Sequence, residues 1–205
     1  LAANVCSADF IAQGGQPGLF RVHEGPTPEK QEILRNYLKA MAVGMTIGDD
    51  PKPGDFQAIA TATKDRPDAQ QIHTMLLRSM QQAIYTPVNS GHFGLAFDAY
   101  THFTSPIRRY PDLLVHRVIK AILSKTKYAL PSLPTPGEAH AKLAKRLAAR
   151  VAAPGTKPRK DVAPPSRDTQ AWEAAGLHCS ANERRADEAS RDVEAWLKCK
   201  YMREH

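Results

Sequence analysis

Residues 100–117 constrain the fold more than any other stretch, because two prolines five positions apart fix where an extended run must turn into a helix. Proline locks its own φ and pushes the preceding residue towards an extended conformation, so Ser105 closes the run and Pro106 begins a turn. Pro111 would break a helix interior but is tolerated in a first turn. The pattern predicts a single turn over 106–109, followed by a helix that begins near Tyr110.

Arg108 and Arg109 lie at this corner, beside backbone amides that a helix start leaves unpaired. Such amides attract anions, and a guanidinium can hold two phosphate oxygens with parallel hydrogen bonds. The hydroxyls of Thr104 and Ser105 are adjacent. A second interpretation is equally open at this point: the arginines pair with Asp112 or a neighbouring carboxylate, and the corner serves core packing.

The motif around the corner is long and specific. Residues 92–117 contain His-Phe-Thr-Ser-Pro-Ile-Arg-Arg-Tyr-Pro-Asp at positions 102–112, and this segment resembles the signature of the ribonuclease II/ribonuclease R family, whose catalytic part is the RNB domain. Residues 74–85 and 178–193 resemble the bacterial ribonuclease R branch in particular. The resemblance covers 1–124 and 168–205, and it implies a hydrolytic 3′→5′ exoribonuclease that degrades single-stranded RNA to nucleoside 5′-monophosphates.

The resemblance also implies roles for individual residues. Arg108 matches the family arginine that helps to stabilise the scissile phosphate, and we therefore predict that it is catalytic. Ser190 stands where the ribonuclease II branch has a glutamate, so nucleotide contacts are not transferred to that position. The predicted RNA-binding residues are Thr104, Ser105, Arg109, Tyr110 and Arg191.

The family holds Mg²⁺ with a cluster of aspartates, and the resemblance implies the same cofactor for the parent enzyme. No Asp-x-Asp-Asp cluster occurs in the sequence, and Asp49 and Asp50 stand in a turn without further acidic partners. We therefore expect no metal ligands in this chain and place them upstream of Leu1. The expected whole is a longer monomeric enzyme. The 205 residues would be the C-terminal part of its catalytic domain, inactive without the N-terminal half.

The net charge of +7 is concentrated in one stretch. Residues 125–166 hold nine Lys/Arg against two acidic residues, and the remainder balances at 19 against 19. Seven prolines also occur between 125 and 167. We interpret 125–167 as a flexible basic Pro/Ala/Lys-rich insertion with a helix candidate over 138–153. It serves either as a solubilising surface loop or for RNA capture.

Periodicity predicts a helix-dominated α/β (α+β) fold with a few short strands. Helices are predicted over 1–13, from Thr27, over 55–64, from 67, from 110 and from Ser180 to about 202, and strands over 19–22, 83–86 and 93–97. Ser180 and Glu183 form a capping-box pattern. Val193, Trp196 and Leu197 are predicted to face inward on the last helix.

The cysteines Cys6, Cys179 and Cys199 have no Cys-x-x-Cys spacing, which favours reduced thiols and a cytoplasmic location. No apolar run is long enough for a membrane span. Three functions follow as hypotheses: part of a ribonuclease R-like catalytic domain, a basic RNA-binding module without catalysis, or an interaction fragment with no nucleic-acid role.

Deletion of residues 125–167 tests the second hypothesis. If this stretch captures RNA, the affinity for single-stranded RNA falls steeply with salt through counterion release and collapses in the deletion variant. Fluorescence anisotropy with a labelled single-stranded RNA measures both effects. Tight binding by the deletion variant would reject the module hypothesis.

Overall fold

The computed structural model describes residues 1–131 and 167–204. Helices dominate these ranges and the strands are few and short, which confirms the predicted fold class. The elements are α1 (Ala2–Gln13), β1 (Phe20–Val22), α2 (Pro28–Ala40), α3 (Pro53–Ala62), α4 (Ala69–Ser79), β2 (Ile84–Thr86), a 3₁₀ turn (Phe93–Leu95), α5 (Tyr110–Leu123) and α6 (Arg167–Glu204). No helix in the described ranges is both long and apolar enough to cross a bilayer.

Two of the three predicted strands form, and they pair with each other. Strands β1 and β2 are antiparallel, with Arg21 opposite Tyr85 in the register. The strand predicted over 93–97 is wrong. His92 donates its backbone amide to the Phe97 carbonyl at 2.8 Å, so residues 93–96 close into a tight loop. Ala96 takes a left-handed conformation there, with φ 55°, and such a chain reversal cannot continue as a strand.

The first core cluster joins the two strands to α1, α5 and α6. Its buried members are Ala8, Ile11, Leu19, Phe20, Val22, Tyr85, Ala99, Leu114, Val115, Val118, Trp172 and Cys179. The extended run that begins at Tyr100 lies along this core. The Tyr100 carbonyl accepts a hydrogen bond from the Arg21 amide at 2.8 Å. The Thr101 hydroxyl donates to the Leu19 carbonyl at 2.6 Å. The run is therefore fixed before it reaches the corner.

A second core cluster lies between α2, α3 and α4. Its buried members are Leu34, Leu38, Ile47, Phe56, Ile59, Ile72 and Leu76. The predicted start of α2 is confirmed: Thr27 accepts from the Lys30 amide and Pro28 occupies the first turn. Helices α3 and α4 start at Pro53 and Ala69, each within two residues of its predicted start.

Helix α6 is longer than predicted, and Ser180 does not cap it. The helix runs 38 residues from Arg167, which places Ser180 in its interior. Its hydroxyl donates to the Gly176 carbonyl at 2.8 Å and accepts from the Tyr85 amide at 2.9 Å. The serine therefore ties α6 to β2 and does not satisfy a helix start.

The inward orientation predicted for Val193, Trp196 and Leu197 is also wrong for the described residues. Trp196 is 62% exposed, and the other two are similarly open. The first core cluster contacts α6 near Trp172 and Cys179, so the helix continues beyond the core that would cover this face.

Most of the predicted insertion over 125–167, with the helix candidate over 138–153, lies outside the described residues. Its first residues are described. Tyr128 and Leu130 pack against the first core cluster, and the Tyr128 ring lies 6.2 Å from that of Trp172.

The contact between α6 and β2 gives a test of this packing. A Cβ at Gly176 would lie 2.5 Å from the Tyr85 carbonyl oxygen, and this backbone atom cannot move without disturbing the strand pair. Gly176→Ala should lower the free energy of unfolding by about 1–3 kcal/mol in urea denaturation. Gly54→Ala is the matched control, because nothing lies within 4 Å of its added Cβ. The control should leave stability unchanged or raise it by less than about 1 kcal/mol. Equal effects of the two substitutions would contradict the close packing.

Candidate functional site

The arginine corner, residues 105–112, folds as its prolines predict. The amides of Arg108 and Arg109 both donate to the Ser105 carbonyl, at 3.3 Å and 3.0 Å. Helix α5 then begins at Tyr110 with Pro111 in its first turn. The single turn followed by a helix is confirmed.

A buried carboxylate holds the corner in place. The Asp112 side chain is 0% exposed, and its Oδ1 accepts from the Ser105 amide at 2.8 Å and from Arg109 Nη2 at 2.8 Å. Asp112 is the third residue of α5, where the positive end of the helix dipole also stabilises a negative charge. The Asp112 carboxylate is therefore itself one of the anions that the start of α5 stabilises.

The extended run leading to the corner is anchored by side chains from two helices. Asn4 of α1 accepts from the Phe103 amide at 3.2 Å. The His116 ring of α5 stacks on the Phe103 ring at 4.1 Å, and its Nε2 lies 2.8 Å from the Phe103 carbonyl oxygen. These contacts fix the approach to the corner from both sides.

The two adjacent arginines have different environments. The Arg109 side chain is 24% exposed and forms an ion pair with Asp112. Arg108 is exposed, and within residues 1–131 and 167–204 its guanidinium makes no hydrogen bond or ion pair. Each interpretation of the arginine pair therefore describes one residue: Arg109 is paired with the protein, whereas Arg108 is free to meet a ligand.

Arg108 lies at a groove between the corner and α6. The groove has a volume of about 490 Å³ and is lined by Tyr85, Arg108, Arg109, Tyr110, Pro111, His178, Cys179, Asn182, Glu183, Ala186 and Asp187. One wall is the corner with the start of α5. The opposite wall is α6, which the Gly176 and Ser180 contacts place against β2.

An ion pair beside the groove joins β1 to α6. Arg21 Nη1 donates to Glu183 Oε2 at 2.6 Å, and its guanidinium lies 4.5 Å from the centre of the Tyr85 ring. The Tyr85 hydroxyl lies 2.8 Å from His102 Nδ1 and 3.4 Å from Glu183 Oε1. Glu183 is thus neutralised by Arg21 and is not available to pair with Arg108.

Burial keeps three groups near the groove uncharged at neutral pH. It raises the pKa of Tyr85, lowers the pKa of His102 to about 4 and raises the pKa of Cys179 to about 12. A thiol held protonated in this way is a poor nucleophile. The groove can bind an anion, but these three groups supply no charge for it.

The predicted site residues fall into three positions. Arg108, Arg109 and Tyr110 line the groove. Ser105 belongs to the corner and Thr104 precedes it, and neither residue lines the groove. Arg191 is exposed on α6, one helical turn beyond the last lining residue, and its Nε donates to the Asp187 carbonyl at 3.3 Å.

The sequence did not point to the groove residues that lie outside the corner. Tyr85, Asn182 and Glu183 line the groove from segments far from the corner. A usable signal was present: Gly176 and Ser180 are small residues one helical turn apart, a spacing that marks close approach of a helix to another backbone.

The groove does not fit a metal centre. Among the described residues, no three or more His, Cys, Asp or Glu side chains are grouped so that they could hold a metal ion. The groove wall contains two acids. Glu183 is bound to Arg21, and Asp187 lies one helical turn from Glu183 along α6.

Comparison with known proteins gives consistent matches. A family model for the RNB domain matches residues 1–125. Ribonuclease R of Escherichia coli (strain K12) is 41% identical over 202 residues, which cover 98% of this chain and 22% of that protein. The structure of Mycoplasma genitalium RNase R in complex with ribose-methylated single-stranded RNA is 29% identical with a TM-score of 0.55. The match covers 58% of this chain and 19% of that one.

One similar structure has a different description. Yeast Ssd1, described as a pseudonuclease, is 28% identical with a TM-score of 0.55, and the match covers 63% of this chain and 16% of that one. The chain spans about a fifth of the length of the ribonuclease R proteins that it matches. Similarity of fold therefore does not by itself establish hydrolysis.

The different environments of the two arginines predict different effects on stability. Arg109→Ala leaves the buried Asp112 carboxylate without its charged partner and should cost about 3–5 kcal/mol of folding free energy. Arg108→Ala removes an exposed side chain without a protein partner and should change stability by less than about 0.5 kcal/mol. Urea denaturation of both variants measures the difference, and similar losses would contradict the described pairing.

The half-buried His102 predicts a dependence of stability on pH. The pKa of His102 is about 4 in the fold, below the ordinary value of 6.5, because burial disfavours the charged ring. The unfolded chain therefore binds a proton first as the pH falls, and stability should decrease from about pH 6.5 towards pH 4. His102→Gln should reduce this slope in urea denaturation across that range. An unchanged slope would show that His102 does not cause it.

Proposed function

The chain belongs to the RNB domain family, and on that premise we propose that it is the C-terminal part of the catalytic domain of a hydrolytic 3′→5′ exoribonuclease similar to ribonuclease R. The parent enzyme would degrade single-stranded RNA to nucleoside 5′-monophosphates. The relatives at about 40% identity are ribonuclease R proteins, and one similar structure contains single-stranded RNA.

A single observation supports the proposal most strongly: Arg108 is exposed and unpaired within the described residues, while the adjacent Arg109 is held by Asp112. A ligand phosphate can engage Arg108 without separating an existing ion pair. Binding of a phosphate through Arg109 would leave the buried Asp112 carboxylate without its cation, which costs folding free energy.

The chemistry that Arg108 can supply is stabilisation of charge. Cleavage of a phosphodiester builds negative charge on the phosphoryl oxygens, and a preorganised donor aimed at those oxygens lowers the barrier. A guanidinium can donate two parallel hydrogen bonds to them and keeps its charge at any working pH. We propose this as the role of Arg108. Tyr110, exposed beside it in the groove, would contact the same RNA.

The family resemblance implies Mg²⁺ as the cofactor of the parent enzyme. No group of described residues fits such a site, and we propose that its ligands come from other parts of the parent protein. The contribution of this chain is confined to holding and neutralising the phosphate. For the same reason we propose that the 205 residues alone do not hydrolyse RNA.

The alternative is an RNA-binding module without catalysis. It is favoured by the similarity to yeast Ssd1, which is described as a pseudonuclease, and by the +7 charge of residues 125–166. The two functions differ in the product: an exoribonuclease releases nucleoside 5′-monophosphates, whereas a binding module leaves the RNA intact.

Substitution of Arg108 in the full-length protein tests the proposed enzyme. Arg108→Ala should lower turnover of a 5′-labelled single-stranded RNA by roughly 100-fold or more, equivalent to about 3 kcal/mol. Because the donor acts on developing charge, RNA affinity should change far less. Arg108→Lys should restore little, since an ammonium cannot form the bidentate contact.

Arg78→Ala is the matched control. Arg78 is an exposed arginine of α4, away from the groove, and its loss should leave turnover unchanged. Unchanged turnover in Arg108→Ala would remove that residue from the mechanism. In the same assay, hydrolysis by the isolated 205-residue chain would contradict the proposal that its metal ligands lie elsewhere.

A further inference from the structure

Asp112 connects the two ends of the turn that carries Arg108. Its Oδ1 binds the Ser105 amide on one side and Arg109 on the other, each at 2.8 Å. Ser105 precedes Arg108 by three residues and Arg109 follows it directly. One oxygen atom therefore binds a backbone amide three residues before the free arginine and the side chain of the residue directly after it.

Asp112 has no second set of partners that could replace these contacts. Its other oxygen, Oδ2, is buried without a hydrogen bond to any described residue, and Arg109 Nε is buried in the same state. A fully buried carboxylate depends on the partners it has, because an uncompensated charge there is strongly destabilising. The Ser105 and Arg109 contacts at Oδ1 must therefore persist while the corner is folded.

The Arg108 side chain has no comparable hydrogen-bond partner among the described residues. The side chain is exposed and, within the described ranges, no protein group restrains its guanidinium. What the protein controls is the backbone from which the side chain starts. A displacement of about 1 Å in a group that acts on a reacting phosphate can cost roughly 100-fold in rate, so the rigidity of this backbone has a functional consequence.

We propose that Asp112 is a positioning residue: by fixing Ser105 and Arg109, its carboxylate sets the direction from which Arg108 meets a phosphate. The inference rests on the proposed function of Arg108. It assigns the two arginines to separate tasks, with Arg109 serving the corner and Arg108 serving the substrate.

A double-mutant cycle in the full-length protein tests this role, with single-stranded RNA as substrate. Asp112→Asn keeps an oxygen for the Ser105 amide and removes the charge that holds Arg109. Turnover should fall roughly 10- to 100-fold while RNA affinity changes less than about threefold. In an Arg108→Ala background the same substitution should alter turnover less than about threefold, because no guanidinium is left to misplace.

Asp55→Asn is the matched control. Asp55 is also the third residue of a helix and accepts from a backbone amide, that of Lys52, at 2.7 Å, but it lies in α3 away from the groove. Its substitution should leave turnover unchanged in both backgrounds.

A second variant keeps the test valid if Asp112→Asn fails to fold. Arg109→Gln combined with Asp112→Asn removes both charges of the buried pair, so no uncompensated charge remains. In this double variant, turnover should fall when Arg108 is present and change little in the Arg108→Ala background. Circular dichroism and thermal unfolding establish that the compared proteins are folded.

The failures are distinguishable. An equal fall in turnover with and without Arg108, or full turnover in the folded Asp112 variants, would overturn the positioning role. The positioning role would also be overturned if the Asp112 variants lost RNA affinity while their turnover stayed unchanged. Full turnover in the single Arg108→Ala variant would instead reject the proposed function on which the inference rests.

Discussion

The ion pair between Asp112 and Arg109 is the interaction on which the site depends. It is formed inside the protein, at the start of α5, and it satisfies a carboxylate that is 0% exposed. The same oxygen receives the Ser105 amide, so the pair also closes the turn that the prolines begin. Because one arginine is used in this way, its neighbour remains available at the surface. A sequence with two adjacent arginines thus presents one cation to a ligand.

The opposite wall of the groove depends on a different physical constraint, the close approach of a helix to a strand. Gly176 gives α6 room to lie against the Tyr85 backbone, and Ser180 bonds to the Tyr85 amide. This contact brings Glu183 to Arg21, with which it pairs at 2.6 Å, so Glu183 is not available to pair with Arg108. The two walls come from segments far apart in sequence. The groove therefore forms only when the corner has closed on Asp112 and α6 has packed against β2.

The corner could be predicted from sequence because proline acts through local covalent geometry, which no tertiary contact has to supply. The strand expected over 93–97 failed because alternation of apolar residues does not reveal a chain reversal such as the one at Ala96. The start of α6 failed because a serine followed three residues later by a glutamate suits both a helix cap and a helix interior packed on a strand. Local sequence left open which of the two arginines pairs with Asp112, since that depends on which side chain reaches the buried carboxylate.

The most direct test of the separate roles of Arg108 and Arg109 is a structure of the full-length protein with a single-stranded RNA that it does not cleave. In that complex the RNA should lie in the groove, with nitrogen atoms of Arg108 about 3 Å from non-bridging oxygens of one phosphate. Arg109 should remain bound to Asp112. A phosphate held by Arg109 with the Asp112 pair broken, or an Arg108 guanidinium bound to a protein carboxylate away from the RNA, would contradict these roles.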